Sequence, residues 1–190
     1  MTLPLIKIAT ISELKILFGW NDELKHHQNV KVLGEKFLIH TLKQNGYNFD
    51  FTIVRQAKGK PYFQYNNKVH FSISDSKEYV AIVIHNKRIG IDIEYLRENK
   101  IALAKRFFNV KEVEYLNRIT KDKIDKAFTQ LWTIKEAYVK MTGTGIAGNF
   151  STIDLSPEEY KENQDFYKNN HRIIFYKDPS TGLFVSICIE

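Results

Sequence analysis

The chain has 190 residues, of which 43% are hydrophobic, and a single cysteine, Cys188. This proportion of hydrophobic residues suffices for one sizeable globular core. One cysteine excludes an internal disulfide framework and a zinc site built from several thiolates, so the expected compartment is the reducing cytoplasm. The N-terminal residues lack the pattern of an export signal, and no stretch reaches the roughly 20 apolar residues of a membrane span. We therefore predict no membrane association.

The formal net charge is +6, which favours anionic partners. The basic residues are scattered, and they form no basic tail, zinc-finger spacing or aromatic RNA-binding pattern. We therefore expect a phosphorylated small molecule or an acidic protein as the partner, and not nucleic acid.

The first part of the chain is predicted to contain two helices followed by strands. A strand over residues 3–10 precedes a short helix that Thr10 or Ser12 caps. A second helix over residues 21–45 ends at Asn45-Gly46, and its basic side includes Lys31. Alternating or continuous apolar residues then predict strands at 51–54, 69–74 and 79–84.

Residues 88–95 show the two-residue period of a strand with one buried and one polar face. Three isoleucines alternate with Gly90, Asp92 and Glu94. The two carboxylates share the polar face with their Cβ atoms about 6.6 Å apart, so they could bind one small cation together. Gly90 on the same face would leave room for a ligand. We expect this strand to lie beside the strands at 69–74 and 79–84.

A charged connector at residues 95–100 is expected to separate two halves, 1–97 and 98–190. Helical periodicity covers 101–108, 111–119 and 124–141, and strands are predicted at 150–155, 172–177 and 183–189. Both halves run from helix to strands. The predicted fold class is therefore α+β, a pseudo-two-fold duplication of two α/β halves, each a small, mostly antiparallel sheet with a packed helix.

The helix over 124–141 carries Trp132, Glu136 and Lys140 at positions i, i+4 and i+8, which places them on one face. An ordinary amphipathic helix with a Glu–Lys pair would show the same pattern. Together with Asp92 and Glu94, however, Glu136 could complete an all-oxygen site that suits Mg²⁺ and a substrate phosphate. Such a site is typical of phosphoryl-type transfer.

Two segments, in this order along the chain, resemble the motifs of the 4'-phosphopantetheinyl transferases of the larger, Sfp-like type. They are Gly-Ile-Asp-Ile-Glu at 90–94 and Trp-Thr-Ile-Lys-Glu-Ala-Tyr-Val-Lys at 132–140. Further matching segments are Gly59-Lys60-Pro61, Phe71-Ser72-Ile73-Ser74, and Lys105-Arg106-Phe107-Phe108 followed by Glu112. The resemblance spans residues 58 to 146.

This resemblance implies that the phosphopantetheine arm of coenzyme A is transferred to a serine hydroxyl of an acyl or peptidyl carrier protein, with release of 3',5'-adenosine bisphosphate. By the same resemblance, Mg²⁺ would be held by Asp92, Glu94 and Glu136. Glu112 would take the serine proton, with Glu114 as the alternative, and Lys140 would stabilise the departing charge. The groups implied to contact coenzyme A are Lys60, Ser74, Lys135 and Lys140, with Lys31 as a further candidate.

Two questions stay open at this point. Asp75 stands where related enzymes usually have a histidine, and its negative charge would repel a phosphate. A non-catalytic protein that binds coenzyme A or a carrier is therefore the alternative function, with a Mg²⁺-dependent phosphohydrolase as a third. The carrier's pathway, whether fatty-acid, polyketide or nonribosomal-peptide synthesis, is also open. Because one chain contains both halves, we predict a monomer.

Overall fold

The computed structural model describes residues 3–20, 26–98, 100–145, 150–155, 164–168 and 170–190. The first elements are strand β1 (Leu5–Thr10) and helices α1 (Ile11–Leu17) and α2 (His26–Gln44). Thr10 caps α1 as predicted: its hydroxyl accepts a hydrogen bond from the Glu13 N–H, and the Glu13 carboxylate accepts one from the Thr10 N–H. This reciprocal arrangement is a capping box.

The strands of the first half follow α2, with the region near 51–63 forming a short hairpin. Their bounds are β2 (Ile53–Arg55), β3 (Pro61–Phe63), β4 (His70–Ser76), β5 (Tyr79–His85) and β6 (Ile89–Glu94).

Three helices and three strands make up the described part of the second half. They are α3 (Ile101–Phe107), α4 (Val110–Arg118), α5 (Lys121–Thr142), β7 (Gln164–Lys168), β8 (His171–Lys177) and β9 (Phe184–Ile189). Helix α5 ends at Gly143, which adopts a left-handed φ of 74° and donates its N–H to the Val139 carbonyl. A residue without Cβ adopts this conformation at little cost, so the predicted end of the helix is confirmed.

The strands form three antiparallel sheets, ordered β1-β5-β4, β2-β3 and β6-β9-β8-β7. Helices α1 and α2 pack on one face of the first sheet, and helix α5 packs on the third. Helices α3 and α4 belong to the same buried cluster as α5. A further cluster of buried residues from β5, β6 and β9 joins the two sheets face to face. The predicted α+β class with mostly antiparallel sheets is confirmed.

Three strand predictions differ from the structure. Residues 150–155 form turns and irregular structure instead of a strand, and β7 was not predicted. Strand β6 lies beside β4 and β5 as expected, but its hydrogen-bonded ladder partner is β9, in a different sheet. Strand β6, which precedes the predicted boundary at residue 97, thus belongs to the sheet of the second half. Within the described ranges, no helix is both long enough and apolar enough to cross a membrane.

Candidate active site

Strand β6 and helix α5 are in direct backbone contact at Gly90. A Cβ atom at this position would lie 2.0 Å from the Ala137 carbonyl oxygen and 2.5 Å from the Met141 nitrogen. Glycine therefore allows the helix to approach the strand, a different role from the ligand space that we expected. The next residues on the same face of β6 are Asp92 and Glu94, so the close packing brings both carboxylates toward the side chains of α5.

Asp92 is the centre of a buried polar network. It is 5% exposed, and its Oδ1 accepts hydrogen bonds from Ser74 Oγ at 2.9 Å and from Lys140 Nζ at 2.7 Å. Ser74 Oγ also lies 2.9 Å from Lys140 Nζ, and it accepts a 3.3 Å hydrogen bond from the Ile93 N–H. Ser74, implied to contact coenzyme A, thus orients a carboxylate and an ammonium group.

The charges in this network shift one another's protonation. Burial raises the pKa of Asp92, and the neighbouring Lys140 only partly offsets this effect. Although burial lowers the pKa of Lys140, the adjacent carboxylates, above all Asp92, raise it overall. Asp75, exposed on β4, adds to this rise. Lys140 is therefore an ammonium ion at neutral pH.

Glu94 is held by a residue that sequence reasoning missed. Its Oε1 forms a 2.8 Å ion pair with Arg97 Nη1, and its Oε2 accepts a 3.2 Å hydrogen bond from Ser76 Oγ. The Arg97 guanidinium lies 4.6 Å from the centre of the Trp132 ring. The spacing Glu-x-x-Arg in the charged connector was the available signal for this pair.

Glu136 is the least constrained of the three carboxylates. It is 8% exposed, and neither a hydrogen bond nor an ion pair joins it to another described residue. Burial, followed by the negative charge of Asp92, raises the pKa of Glu136 to about 7. Both protonation states are therefore accessible near neutral pH, as suits a group that gains or loses a proton during a reaction.

A cleft of about 380 Å³ lies beside Glu136 and Lys140. Its size is within the range of small-molecule sites. Lys60 also lines it, and its Nζ donates a 2.5 Å hydrogen bond to the Met141 carbonyl. Burial, followed by the positive charge of Arg88, lowers the pKa of Lys60 to about 8. The other lining residues are Lys58, Gly59, Pro61, Phe71, Ser72, Ile73, Val139, Gly143 and Gly145.

Glu112 and Lys135 have different surroundings from those that the resemblance implies. Both side chains are 0% exposed, and Lys135 Nζ lies 2.8 Å from Glu112 Oε2. Burial raises the pKa of Glu112 and lowers that of Lys135, and the pairing offsets part of each shift. Neither residue is among the described residues that line the cleft. A direct contact of either with a substrate in the cleft is therefore at odds with this arrangement.

The Glu112–Lys135 pair is surrounded by further hydrogen bonds. Glu112 accepts from the backbone N–H groups of Asn109 and Leu155, at 3.0 and 3.1 Å. Lys135 donates to the carbonyls of Phe150 and Ile153, both at 2.6 Å. Through these bonds the pair connects α4 and α5 to residues 150–155.

Two further candidates lie on the surface. Lys31 is exposed on α2 and is not among the described residues that line the cleft. Glu114, the alternative base, is exposed on α4 and pairs with Arg118 at 3.0 Å.

The carboxylates suit a hard divalent cation by their chemistry. All three offer oxygen ligands, and Asp92 Oδ2 is buried without a hydrogen-bond partner in the part of the chain that the structure describes. The described residues contain no three acidic, histidine or cysteine side chains already placed to hold a metal. Lys140 and Arg97 instead occupy Asp92 Oδ1 and Glu94 Oε1.

Comparison with known proteins finds relatives in one superfamily. Residues 88–179 match the model of the 4'-phosphopantetheinyl transferase superfamily. The chain is 35% identical to 4'-phosphopantetheinyl transferase gsp of Aneurinibacillus migulanus over 139 residues, covering 70% of this chain and 57% of the relative. It is 33% identical to 4'-phosphopantetheinyl transferase Sfp of Bacillus subtilis (strain 168) over 115 residues, covering 58% and 50%.

A third relative, 4'-phosphopantetheinyl transferase HetI of Nostoc sp. (strain PCC 7120), is 42% identical over 80 residues, covering 40% of this chain and 34% of that protein. The chain thus spans about half the length, or less, of these curated relatives. It belongs to the 4'-phosphopantetheinyl transferase superfamily. Its relatives are of the Sfp-like type, which confirms the resemblance found in the sequence.

Proposed function

We propose that this protein transfers the 4'-phosphopantetheine arm of coenzyme A to a serine hydroxyl of an acyl or peptidyl carrier protein, releasing 3',5'-adenosine bisphosphate. The observation that supports this function best is the cluster of Asp92, Ser74, Glu136 and Lys140 beside a cleft of about 380 Å³. The two sequence motifs of the superfamily supply three of these four residues and lie on β6 and α5.

Coenzyme A would occupy this cleft, with Lys60 and Lys140 facing its phosphates. Asp92, Glu94 and Glu136 would hold Mg²⁺, which when bound would neutralise charge on the pyrophosphate. Lys140 would stabilise the charge that develops on the leaving phosphate oxygens, because its ammonium is fixed by Asp92 and Ser74. Lys31 and Asp75 lie at the surface, and any contact they make with coenzyme A would be peripheral.

For the serine proton, Glu136 is the better-placed acceptor. It lines the cleft, whereas Glu112 is fully buried and paired with Lys135. A general base has to come within hydrogen-bond reach of the proton that it removes. We therefore assign Glu112 and Lys135 a positioning role, in which they hold residues 150–155 against α4 and α5.

The carrier protein would be acidic, because a chain with net charge +6 attracts a negatively charged partner. We place the reaction in the cytoplasm, since a single, buried thiol suits a reducing compartment.

Intact-mass analysis of apo carrier proteins from several pathways tests the proposal. With coenzyme A and Mg²⁺, we expect at least one carrier to gain the mass of phosphopantetheine. Asp92→Ala and Glu136→Ala should lower the rate by at least a hundredfold with the fold intact, because each removes a charged group from the reacting site. Glu114→Ala, which removes an exposed carboxylate from α4, is the matched control and should retain the rate.

The alternative functions give different results in the same assay. Binding of coenzyme A or a carrier without a mass gain across a broad panel would favour a non-catalytic binding protein. Release of adenosine bisphosphate or phosphate in the absence of any carrier would favour a phosphohydrolase.

A further inference from the structure

The acidic cluster of Asp92, Glu94 and Glu136 is already paired with two basic side chains. Lys140 is paired with Asp92 at 2.7 Å, and Arg97 is paired with Glu94 at 2.8 Å. Three carboxylates and two cations leave about one negative charge in the cluster when all are ionised. The site is therefore largely neutralised without a metal ion.

We propose that Arg97 is a built-in counter-ion of the metal site. It neutralises Glu94 while no divalent cation is bound, and entry of the cation displaces its guanidinium from that carboxylate. Arg97 is thus a positioning residue that sets how tightly the cluster binds a metal. This inference rests on the Mg²⁺ site of the proposed function.

The surroundings of Arg97 allow such a movement. Its backbone N–H donates a 2.9 Å hydrogen bond to Thr129 Oγ1, which fixes the main chain of the connector. The guanidinium lies over the Trp132 ring, so it can leave the carboxylate and still keep a favourable cation–π contact. With its side chain 28% exposed, it also has access to water.

Glu94 can become a ligand once Arg97 releases it. Its Oε1 is then free, and its Oε2 is held only by the 3.2 Å hydrogen bond from Ser76. This release also explains why the described carboxylates are not placed to hold a metal in the present arrangement, in which Arg97 holds Glu94 and Lys140 holds Asp92.

Electrostatics sets the direction of the effect. A divalent cation bound at the cluster is repelled by the Arg97 guanidinium a few ångströms away. Loss of that positive charge should therefore strengthen metal binding, and Coulomb's law in a highly polar surrounding gives about a three- to tenfold effect. If Arg97 served only to hold Glu94 in place, its loss would weaken metal binding instead.

Binding of Mn²⁺ to the full chain without coenzyme A, measured by electron paramagnetic resonance of the free ion, tests this inference. We expect Arg97→Gln to lower the Mn²⁺ Kd about three- to tenfold and Arg97→Lys, which keeps the charge, to stay within about twofold of the wild type. Arg118→Gln removes the same charge from the exposed pair with Glu114 and should leave the Kd unchanged. An unchanged or higher Kd in Arg97→Gln would overturn the inference.

Fluorescence of Trp132 provides a second measurement, which reports on the position of the Arg97 guanidinium. The chain has two tryptophans, so a Trp20→Phe background leaves Trp132 as the sole indole fluorophore. Displacement changes the position of the guanidinium over the Trp132 ring even where the cation–π contact is kept, so Mg²⁺ should shift the Trp132 emission in this background, and the shift should be lost in Arg97→Gln. The absence of a shift in the parent would contradict displacement of Arg97.

The proposed metal site and the proposed role of Arg97 can be rejected by different results. Wild-type protein that binds no Mn²⁺, or Asp92→Ala and Glu136→Ala variants that bind it as well as the wild type, would overturn the metal site and with it the inference. Loss of binding in those two variants, together with equal binding by Arg97→Gln and the wild type, would overturn the role of Arg97 alone.

Discussion

Glu112 and Lys135 show what a fully buried ion pair requires. Each charged group has lost its hydration. The ion pair and the hydrogen bonds to backbone groups compensate for this loss, and those backbone groups belong to Asn109, Phe150, Ile153 and Leu155. Removal of one member of such a pair leaves the other uncompensated in the core. The primary effect of a substitution at either position should therefore be on folding.

We predict that Glu112→Gln lowers the free energy of unfolding by about 3–5 kcal/mol, because Lys135 loses its counter-charge. Chemical denaturation followed by circular dichroism measures the change. The matched control is Glu114→Gln, which removes a charge from the exposed pair with Arg118. It should lower the free energy of unfolding by at most about 1 kcal/mol. A Glu112→Gln protein of wild-type stability that lacked transferase activity would instead support Glu112 as the base.

The sequence contained part of this information. Asn109 stands three residues before Glu112, the spacing of a capping box, and the structure has that box at the start of α4. The burial of Lys135 had no local signal, because its neighbours on α5 include both polar and apolar residues. Whether a lysine is buried depends on segments distant in sequence, here residues 150–155.

At the level of elements, the contact between β6 and α5 determines the geometry of the site. We predict that Gly90→Ala lowers the free energy of unfolding by about 1–3 kcal/mol or more, because the added methyl group would overlap the backbone of α5, which has no freedom to rotate away. Thermal unfolding measures the loss. The same substitution should reduce transferase activity of the protein that remains folded, since it separates Lys140 from Asp92.

Gly34→Ala is the matched control for this prediction. A Cβ at Gly34, on α2, would meet Ile73 Cγ2 at 2.9 Å, and a side-chain methyl group can move. Alanine is also the better helix former by about 1 kcal/mol. We expect this variant to be more stable than Gly90→Ala, because a side-chain methyl group has to shift and no backbone atom does. Equal stability of the Gly34→Ala and Gly90→Ala variants would contradict the argument.

Local sequence patterns predicted the helices and strands better than they predicted which strands pair with each other. The period of two in 88–95 and the helical period in 124–141 depend on neighbouring residues, and both elements form as predicted. Pairing of β6 with β9 depends on which strands come together in the folded chain. The apolar pattern of one strand does not identify its partner, because several strands have much the same pattern. The strand predicted at 150–155 was wrong because its apolar residues are buried beneath α5 without a ladder.

At the scale of the whole molecule, both motif elements of the site come from one chain. Ser74 belongs to the first sheet, Asp92 lies in the third sheet, and Lys140 lies on helix α5, which packs on that third sheet. Since no second copy is needed to bring them together, we predict a monomer of 22.3 kDa. Analytical ultracentrifugation measures the mass in solution, and an obligate trimer would contradict the prediction.

The pairing of β6 with β9 also has a consequence for how the protein folds. Asp92 lies opposite Ser186, so the strand that carries the acidic residues finds its ladder partner more than ninety positions later in the chain. Contacts between such distant segments form slowly, because a long loop has to close first. During synthesis, β6 therefore gains its ladder partner only after β9 has been made, and the candidate active site should be among the last parts of the protein to become ordered.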